Sequence, residues 1–203
     1  MGSLVILSGP SGSGKTSIAR EVCKKIGIDK TYFSISTTTR KPREGEQNGI
    51  DYFFVTKDEF LKDIEENQFL EWAEVHGNYY GTSLKQIQNA LNAGKIVFLD
   101  IDVQGFESIK KIYPKLITSV FITTPNKQIL IERLKTRGTE TEESLKIRLI
   151  NALKEMEKID EYDYLLINDK FEESVELLES IAKISLIKSS KNDLENFIKE
   201  WNK

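Results

Sequence analysis

The sequence has little of several residue types, and each shortage excludes a class of protein. It contains one cysteine, Cys23, and one histidine, His76. A single cysteine cannot form an internal disulfide or a cysteine-cluster metal site, so a reducing compartment fits this chain. No apolar run approaches the ~20 residues that a membrane-spanning helix needs, and the first residues lack the long apolar stretch of a secretion signal. We therefore expect a cytoplasmic protein that does not associate with membranes.

The chain also lacks a strong excess of either charge. Its 29 lysines and arginines and its 32 aspartates and glutamates leave a formal net charge of −3. Without a global basic field, we expect no binding to nucleic acid. The 203 residues, of which 39% are hydrophobic and 30% charged, match an ordinary globular domain.

Short apolar stretches alternate with segments of helical periodicity along most of the chain. The predicted strands are 4–8, 32–35, 52–55, 95–102, 117–123 and 163–167, and a mixed, strand-like segment covers 69–80. This alternation predicts an α/β fold, a parallel sheet with right-handed crossovers and helices on its faces. Ligands bind beyond the carboxyl ends of such strands, which brings together the loops after Ser8, Ile35 and Leu99.

Helix starts are predicted where a capping residue precedes a glutamate or glutamine by three positions. Four pairs have this spacing, namely Thr56 with Glu59, Ser83 with Gln86, Thr139 with Glu142, and Asp169 with Glu172. Further helices are predicted over 16–26, 126–135 and 142–158, and a short one in the tail.

A glycine-rich phosphate-binding motif, GPSGSGKT, lies directly between the first predicted strand and the first predicted helix. It fits the pattern G-x-x-x-x-G-K-[ST] in its expected context. Backbone N–H groups of such a loop surround phosphate oxygens, the lysine reaches the terminal phosphates, and the threonine hydroxyl can bind Mg²⁺. The predicted ATP-binding residues are Gly9, Pro10, Ser11, Gly12, Ser13, Gly14, Lys15 and Thr16.

A polar, basic loop follows the second predicted strand. Arg40, Arg43 and Tyr52 supply two guanidinium groups and a phenol, which suit a phosphate dianion, although scattered arginines can also be solvated. Downstream, a carboxylate at Glu71 matches the adjacent N1–H and 2-amino donors of guanine, and hydroxyls at Ser36 and Thr82 match its O6. Adenine lacks that donor pair, so this set predicts selectivity for guanine.

The motifs GPSGSGKT, STTTRKPREGEQNGIDYFF, FLEWAEVHGNYYGTS, LDIDVQG, RGTETEESLKIR and IND occur in the order and spacing of one known family. Over about residues 4–187 the chain closely resembles guanylate kinase. The resemblance implies transfer of the γ-phosphate of ATP to GMP with Mg²⁺. It also implies a P-loop NTPase core with a mobile GMP-binding segment and a helical lid.

The resemblance assigns roles residue by residue. The GMP phosphate is contacted by Arg40, Arg43, Tyr52 and Tyr80, and guanine by Ser36, Glu71, Thr82 and Asp102. Transfer depends on Lys15, Arg40 and three lid arginines, Arg133, Arg137 and Arg148. Thr16 and, through water, Asp100 hold Mg²⁺, and Asn168 lies near the adenine of ATP. Either aspartate of LDIDVQG could instead cap the next helix.

The implied domain is 1–188, with core segments 1–33, 83–124 and 163–188, a GMP-binding segment 34–82 and a lid 125–162. Residues 189–203 are predicted to form a short helical extension. The implied partners are ATP and GMP, with dGMP left open as an acceptor, and the sequence gives no oligomeric state. Two alternatives remain open, a catalytically inactive phosphopeptide-binding module of this fold and a P-loop kinase with another acceptor.

Overall fold

The computed structural model describes residues 2–75, 77–136, 142–188 and 194–203. Arg137, one of the predicted lid arginines, and Thr139, the predicted cap paired with Glu142, lie outside these residues. The strands are β1 Ser3–Ser8, β2 Thr31–Phe33, β3 Thr37–Thr38, β4 Phe53–Phe54, β5 Phe69–Val75, β6 Asn78–Ser83, β7 Ile96–Asp100, β8 Ile117–Thr123 and β9 Tyr164–Ile167. The helices are α1 Lys15–Ile26, α2 Lys57–Glu65, α3 Leu84–Asn92, α4 Val103–Ile112, α5 Lys127–Thr136, α6 Glu142–Met156, α7 Phe171–Ser185 and α8 Leu194–Trp201, and a 3-10 turn covers Ile159–Glu161.

The larger sheet has five strands in the order β2-β7-β1-β8-β9, and every neighbouring pair is parallel. Helices cover both of its faces, so the predicted α/β fold is confirmed. Side chains of β1 alternate between the faces: Leu4 and Ile6 pack with α3 and α4, whereas Val5 and Leu7 pack with α1 and α7. A strand buried on both faces has the continuous apolar sequence seen here.

The second sheet has four strands in the order β4-β3-β6-β5. Its strands β5 and β6 form an antiparallel pair, which resolves the mixed segment predicted over 69–80. Phe60 of α2 is fully buried on this sheet, where its ring stacks on Phe69 at 4.4 Å between centroids and on Tyr79 at 5.5 Å. This small aromatic core fixes α2 to the sheet that carries several of the predicted acceptor residues.

Among the described residues, one predicted capping box is confirmed in full, one predicted cap is confirmed in position only, and one predicted helix start is wrong by one residue. Thr56 and Glu59 form both hydrogen bonds of the box. Ser83 is the N-cap of α3, as predicted, but its side chain makes no capping hydrogen bond. It is still paired in β6, and the next amide, that of Leu84, donates to the carbonyl of Gln68. At α7 the cap is Lys170 instead of Asp169.

The shift at α7 comes from the end of the sheet. The amide of Asn168 donates to the carbonyl of Thr123 at 2.7 Å and so prolongs the pairing of β9 with β8. Asp169 lies in the following turn, where its amide donates to the carbonyl of Ile167. The helix therefore begins one residue later than its sequence pattern indicates.

Within the four described ranges, no helix has the length and apolar character needed to cross a membrane.

Candidate active site

A cavity of about 570 Å³ opens where β1 and β7 end. It is bounded by the glycine-rich loop between β1 and α1, by the second sheet and its loop, and by α6. The predicted site residues on its wall are Gly9, Ser11, Gly12, Gly14, Lys15, Thr16, Ser36, Arg40, Arg43, Tyr52, Glu71, Tyr80, Asp100, Asp102 and Arg148. The topology thus brings together side chains that are separated by more than a hundred residues in the sequence.

The glycine-rich loop needs glycine for conformational and steric reasons. Gly9 has a φ of +129°, and a Cβ there would lie 2.2 Å from the carbonyl oxygen of Ile122 on β8. The loop ends at Gly14, in the left-handed region, and α1 begins at Lys15. The free amides of this helix start therefore face the cavity, which suits an anion.

Lys15 and Thr16 point their polar atoms toward neighbouring oxygens. The Lys15 ammonium donates to the carbonyls of Gly9 at 2.5 Å and Pro10 at 3.1 Å. The Thr16 hydroxyl donates to Oδ2 of Asp100 at 2.5 Å. A hydroxyl and a carboxylate are hard oxygen ligands of the kind that Mg²⁺ prefers. Within the described ranges no group of three or more acidic, histidine or cysteine side chains could hold a metal ion.

The loop between β3 and β4, which carries predicted acceptor residues, is organised around an ion pair. Nη2 of Arg40 donates to both carboxylate oxygens of Glu46 at 2.9 Å, and the amide of Arg43 donates to one of them at 2.8 Å. The Arg40 guanidinium lies 5.2 Å from the ring centre of Tyr52. Burial, with smaller contributions from Asp100 and Tyr80, raises the pKa of Tyr52 to about 12. Its phenol therefore keeps its proton at neutral pH and can donate to a phosphate oxygen.

Glu71, on β5, forms the floor of the predicted base pocket. It is only 9% exposed, and Oγ1 of Thr82 donates to its Oε1 at 2.6 Å. Burial raises the pKa of Glu71 to about 7, the bond from Thr82 opposes that rise, and nearby Asp102 adds to it. Thr82 is fully buried behind Glu71, so its hydroxyl orients this carboxylate.

Asp102 caps a helix, as one of the two sequence alternatives predicted. Its Oδ1 accepts the amide proton of Gly105 at 2.8 Å in the first turn of α4. Asp102 also lines the cavity. The two roles are compatible because a carboxylate has two oxygens, one of which can serve the helix.

Arg133 and Asn168 brace the glycine-rich loop from behind. Asn168 is buried, and its Nδ2 donates to the carbonyl of Ser13 at 2.7 Å. Arg133 donates to the carbonyls of Ser13 at 3.5 Å and Asn168 at 2.9 Å. Neither side chain is among the described residues that line the cavity. In this structure both residues therefore position the loop through its backbone.

The helix α6 presents one face to the cavity. Nη1 of Arg148 donates to Oγ of Ser11 at 2.6 Å, which joins the predicted lid to the glycine-rich loop. Asn151 and Glu155 line the same wall, and neither was predicted as a site residue. Their spacing of three and seven residues from Arg148 places them on one helical face, and this signal could have found them. Burial raises the pKa of Glu155, and the charge of Lys15 opposes that rise.

A phosphate-binding loop, an adjacent hydroxyl and carboxylate, and a separate arginine and tyrosine site on a second sheet define a P-loop nucleotide kinase. Within that class, the family model described as guanylate kinase matches residues 1–184. The chain therefore belongs to the guanylate kinase family.

Relatives and a solved structure agree with this assignment. The guanylate kinase of Wolinella succinogenes is 52% identical over 200 residues, covering 98% of this chain and 92% of that protein. The guanylate kinase of Campylobacter jejuni strain RM1221 is 49% identical over 201 residues, covering 99% and 98%. A crystal structure of guanylate kinase from Anaplasma phagocytophilum aligns with a TM-score of 0.79 at 28% identity, covering 98% of this chain and 94% of that one.

Proposed function

We propose that this protein transfers the γ-phosphate of ATP to GMP and releases ADP and GDP. The observation that carries the proposal is that one cavity joins the glycine-rich loop to an acceptor site with a buried carboxylate, Glu71. Guanine offers that carboxylate two adjacent donors, N1–H and the 2-amino group, whereas adenine has an acceptor at N1 and no amino group at C2. Membership of the guanylate kinase family supports the same reaction.

The donor side of the site would bind the phosphates of ATP. The loop amides and Lys15 would contact the β- and γ-phosphates, and Arg148 would add positive charge from α6. Thr16 and Asp100 would hold hydrated Mg²⁺, which when bound neutralises phosphate charge. The oxygen donors at these two positions fit that ion. Arg133 and Asn168 would act indirectly by holding the Ser13 carbonyl, and Arg137 stays a prediction.

The acceptor side would orient GMP. Arg40, Arg43, Tyr52 and Tyr80 would bind its phosphate, and Ser36, Glu71 and Asp102 would contact the base, with Thr82 orienting Glu71. A phosphate oxygen of GMP attacks the γ-phosphorus, and the bond from that phosphorus to the bridging oxygen of ADP breaks. The attacking oxygen is already an anion, so the reaction needs no general base.

Water must be kept from the γ-phosphate, since it would otherwise hydrolyse ATP. We propose that segments 34–82 and 125–162 close over the core and exclude it. The contact between Arg148 and Ser11 supports a closing role for α6. A cytoplasmic location, where ATP and GMP are available, is part of the same proposal.

A test of acceptors checks the reaction. ADP release would be followed with ATP and Mg²⁺ while GMP, dGMP, AMP, CMP and UMP are each offered alone. We expect turnover with GMP and none above background with AMP, CMP or UMP. Folded protein that binds GMP but turns over no nucleotide would favour the inactive binding module. Turnover with an acceptor other than a guanine nucleotide would favour the other kinase alternative.

The raised pKa of Glu71 predicts that GMP binding depends on pH. The two guanine donors require the ionised carboxylate, so binding must release the proton that Glu71 holds below a pKa of about 7. We expect the KM for GMP to rise as pH falls through neutrality, approaching ~tenfold per unit on the acid side. The measurement is the KM for GMP at constant ionic strength across this range.

The second pKa of the GMP phosphate, about 6, adds a pH dependence of its own. The variant Glu71→Gln separates the two effects, because it retains the phosphate and lacks the titrating carboxylate. The difference between the two profiles therefore reports Glu71 alone. Identical profiles would show that Glu71 does not change its protonation when GMP binds.

A further inference from the structure

We infer that Gly105 determines specificity for guanine, because its missing side chain leaves the space in which the carboxylate of Glu71 lies. The inference rests on the proposed function and adds a positioning residue to the acceptor site. Gly105 belongs to the first turn of α4, directly after core strand β7, whereas Glu71 belongs to β5 of the second sheet. The residue therefore lies where the two sheets meet at the site.

The geometry leaves no room for a larger residue at this position. A Cβ on Gly105 would lie 2.8 Å from Oε2 of Glu71, 3.2 Å from its Cδ and 3.4 Å from Oδ1 of Asp102. Real Cβ atoms essentially never approach another heavy atom within 3.0 Å. Even alanine would therefore force a shift, and the atom it meets first is the base-reading carboxylate.

The backbone gives no reason for glycine here. The described glycines with positive φ include Gly9 and Gly14, and Gly105 is not among them. In helical backbone alanine is the better residue, because glycine loses more conformational freedom on folding. The glycine at position 105 is thus explained by the carboxylate of Glu71, which occupies the space that a side chain would need.

Glu71 cannot move away from a new methyl group without losing its orientation. Its Oε1 is held by Thr82, and its Oε2 is the oxygen that faces Gly105. The side chain is buried, so a rotation would have to displace packed neighbours or break the bond from Thr82. The amide of Gly105 also donates to Asp102. Gly105 therefore lies beside both carboxylates of the predicted base pocket.

The test is Gly105→Ala, with Gln104→Ala as its matched control on an exposed position of the same helix turn. Equilibrium binding of GMP and of ATP with Mg²⁺ would be measured by calorimetry, and the KM for each substrate and kcat by ADP release. We expect Gly105→Ala to raise the Kd and KM for GMP at least ~tenfold, the scale of one hydrogen bond to a charged group. The Kd for ATP should stay within ~twofold, and Gln104→Ala should change neither.

A double-mutant cycle with Glu71→Ala identifies the cause. Once the carboxylate is removed, Gly105→Ala should have no further effect on GMP binding and should raise the Tm, as alanine does in a helix. The double variant also tests the inference if the Gly105→Ala protein does not fold, since adding Glu71→Ala should restore its folding. Failure to restore folding, or an equal loss of GMP binding in both backgrounds, would overturn the inference.

Two further results are distinguishable from each other. If the unaltered protein binds GMP and Gly105→Ala binds it equally well, Gly105 has no role in specificity and the proposed function stands. If the unaltered protein does not bind GMP at all, the proposed function fails and the inference fails with it.

Discussion

Replacing Lys15 with alanine should reduce turnover of ATP and GMP by roughly a thousandfold or more, at the upper end of what one preorganised donor to a transition state contributes. Lys15 is the first residue of α1, and its ammonium lies over the glycine-rich loop, bonded to the carbonyls of Gly9 and Pro10. That position puts a full positive charge where the γ-phosphoryl group would carry its developing charge. The measurement is kcat in the ADP-release assay with both substrates saturating.

The same substitution should leave GMP binding almost unchanged. Lys15 is held by the core loop, whereas the acceptor residues Arg40 and Glu71 belong to the second sheet and its loop. A matched control is Lys24→Ala on the same helix, since Lys24 is exposed and pairs only with Glu21 among the contacts described. That variant should keep full activity. Loss of GMP binding by folded Lys15→Ala protein, or retention of its turnover, would contradict the role given to Lys15.

The glycine-rich loop could be predicted almost completely from the sequence because its information is local. Eight consecutive residues after an apolar strand define the turn, the helix start at Lys15 and the hydroxyl of Thr16. The sheet could also be predicted, since β1 and β8 are buried on both faces and are therefore apolar along their whole length. Local chemistry and local periodicity were sufficient for these features.

The contacts behind the loop could not be predicted in the same way. By residue type, Arg133 and Asn168 were expected to contact ATP. In the structure Arg133 donates to the backbone carbonyls of Ser13 and Asn168, and the Asn168 side chain donates to that of Ser13. Which carbonyl lies within reach depends on the neighbouring strands β8 and β9, and no sequence pattern records it. The helix start predicted at Asp169 failed for a related reason, because sheet pairing continued past the residue expected to cap. At Ser83 the pairing left the predicted cap in place without its side-chain hydrogen bond.

The position of Gly105 opposite Glu71 could not be predicted from the sequence either. In the sequence Gly105 is one glycine after LDIDVQ, and its helical backbone gives no reason for a residue without a side chain. Only the meeting of α4 with β5 supplies that reason. Residue identities at a contact between two sheets are set by three-dimensional proximity, so they become interpretable only once the fold is known.

Glu71→Gln should lower kcat/KM for GMP. The loss of transition-state stabilisation should be about 2–4 kcal/mol, the range expected when charged hydrogen bonds are lost and donors are left unpaired. The amide oxygen of glutamine would keep the bond from Thr82, because that hydroxyl donates to Oε1 of Glu71 at 2.6 Å. The NH₂ group would then take the place of Oε2 and face the N–H groups of guanine, donor against donor. The measurement is kcat/KM for GMP and for AMP at one pH.

The substitution should lower the selectivity for GMP over AMP by lowering the activity with GMP alone. AMP has no donor pair at that edge, so its small kcat/KM should not fall. The ratio of kcat/KM for GMP to kcat/KM for AMP should therefore drop by the same factor as kcat/KM for GMP. Glu74→Gln is the matched control, since Glu74 is an exposed glutamate on the same strand β5 and should leave the ratio unchanged. An unaltered GMP-to-AMP ratio in Glu71→Gln would remove this carboxylate from the guanine site, and the basis for Gly105 as a specificity residue would be removed with it.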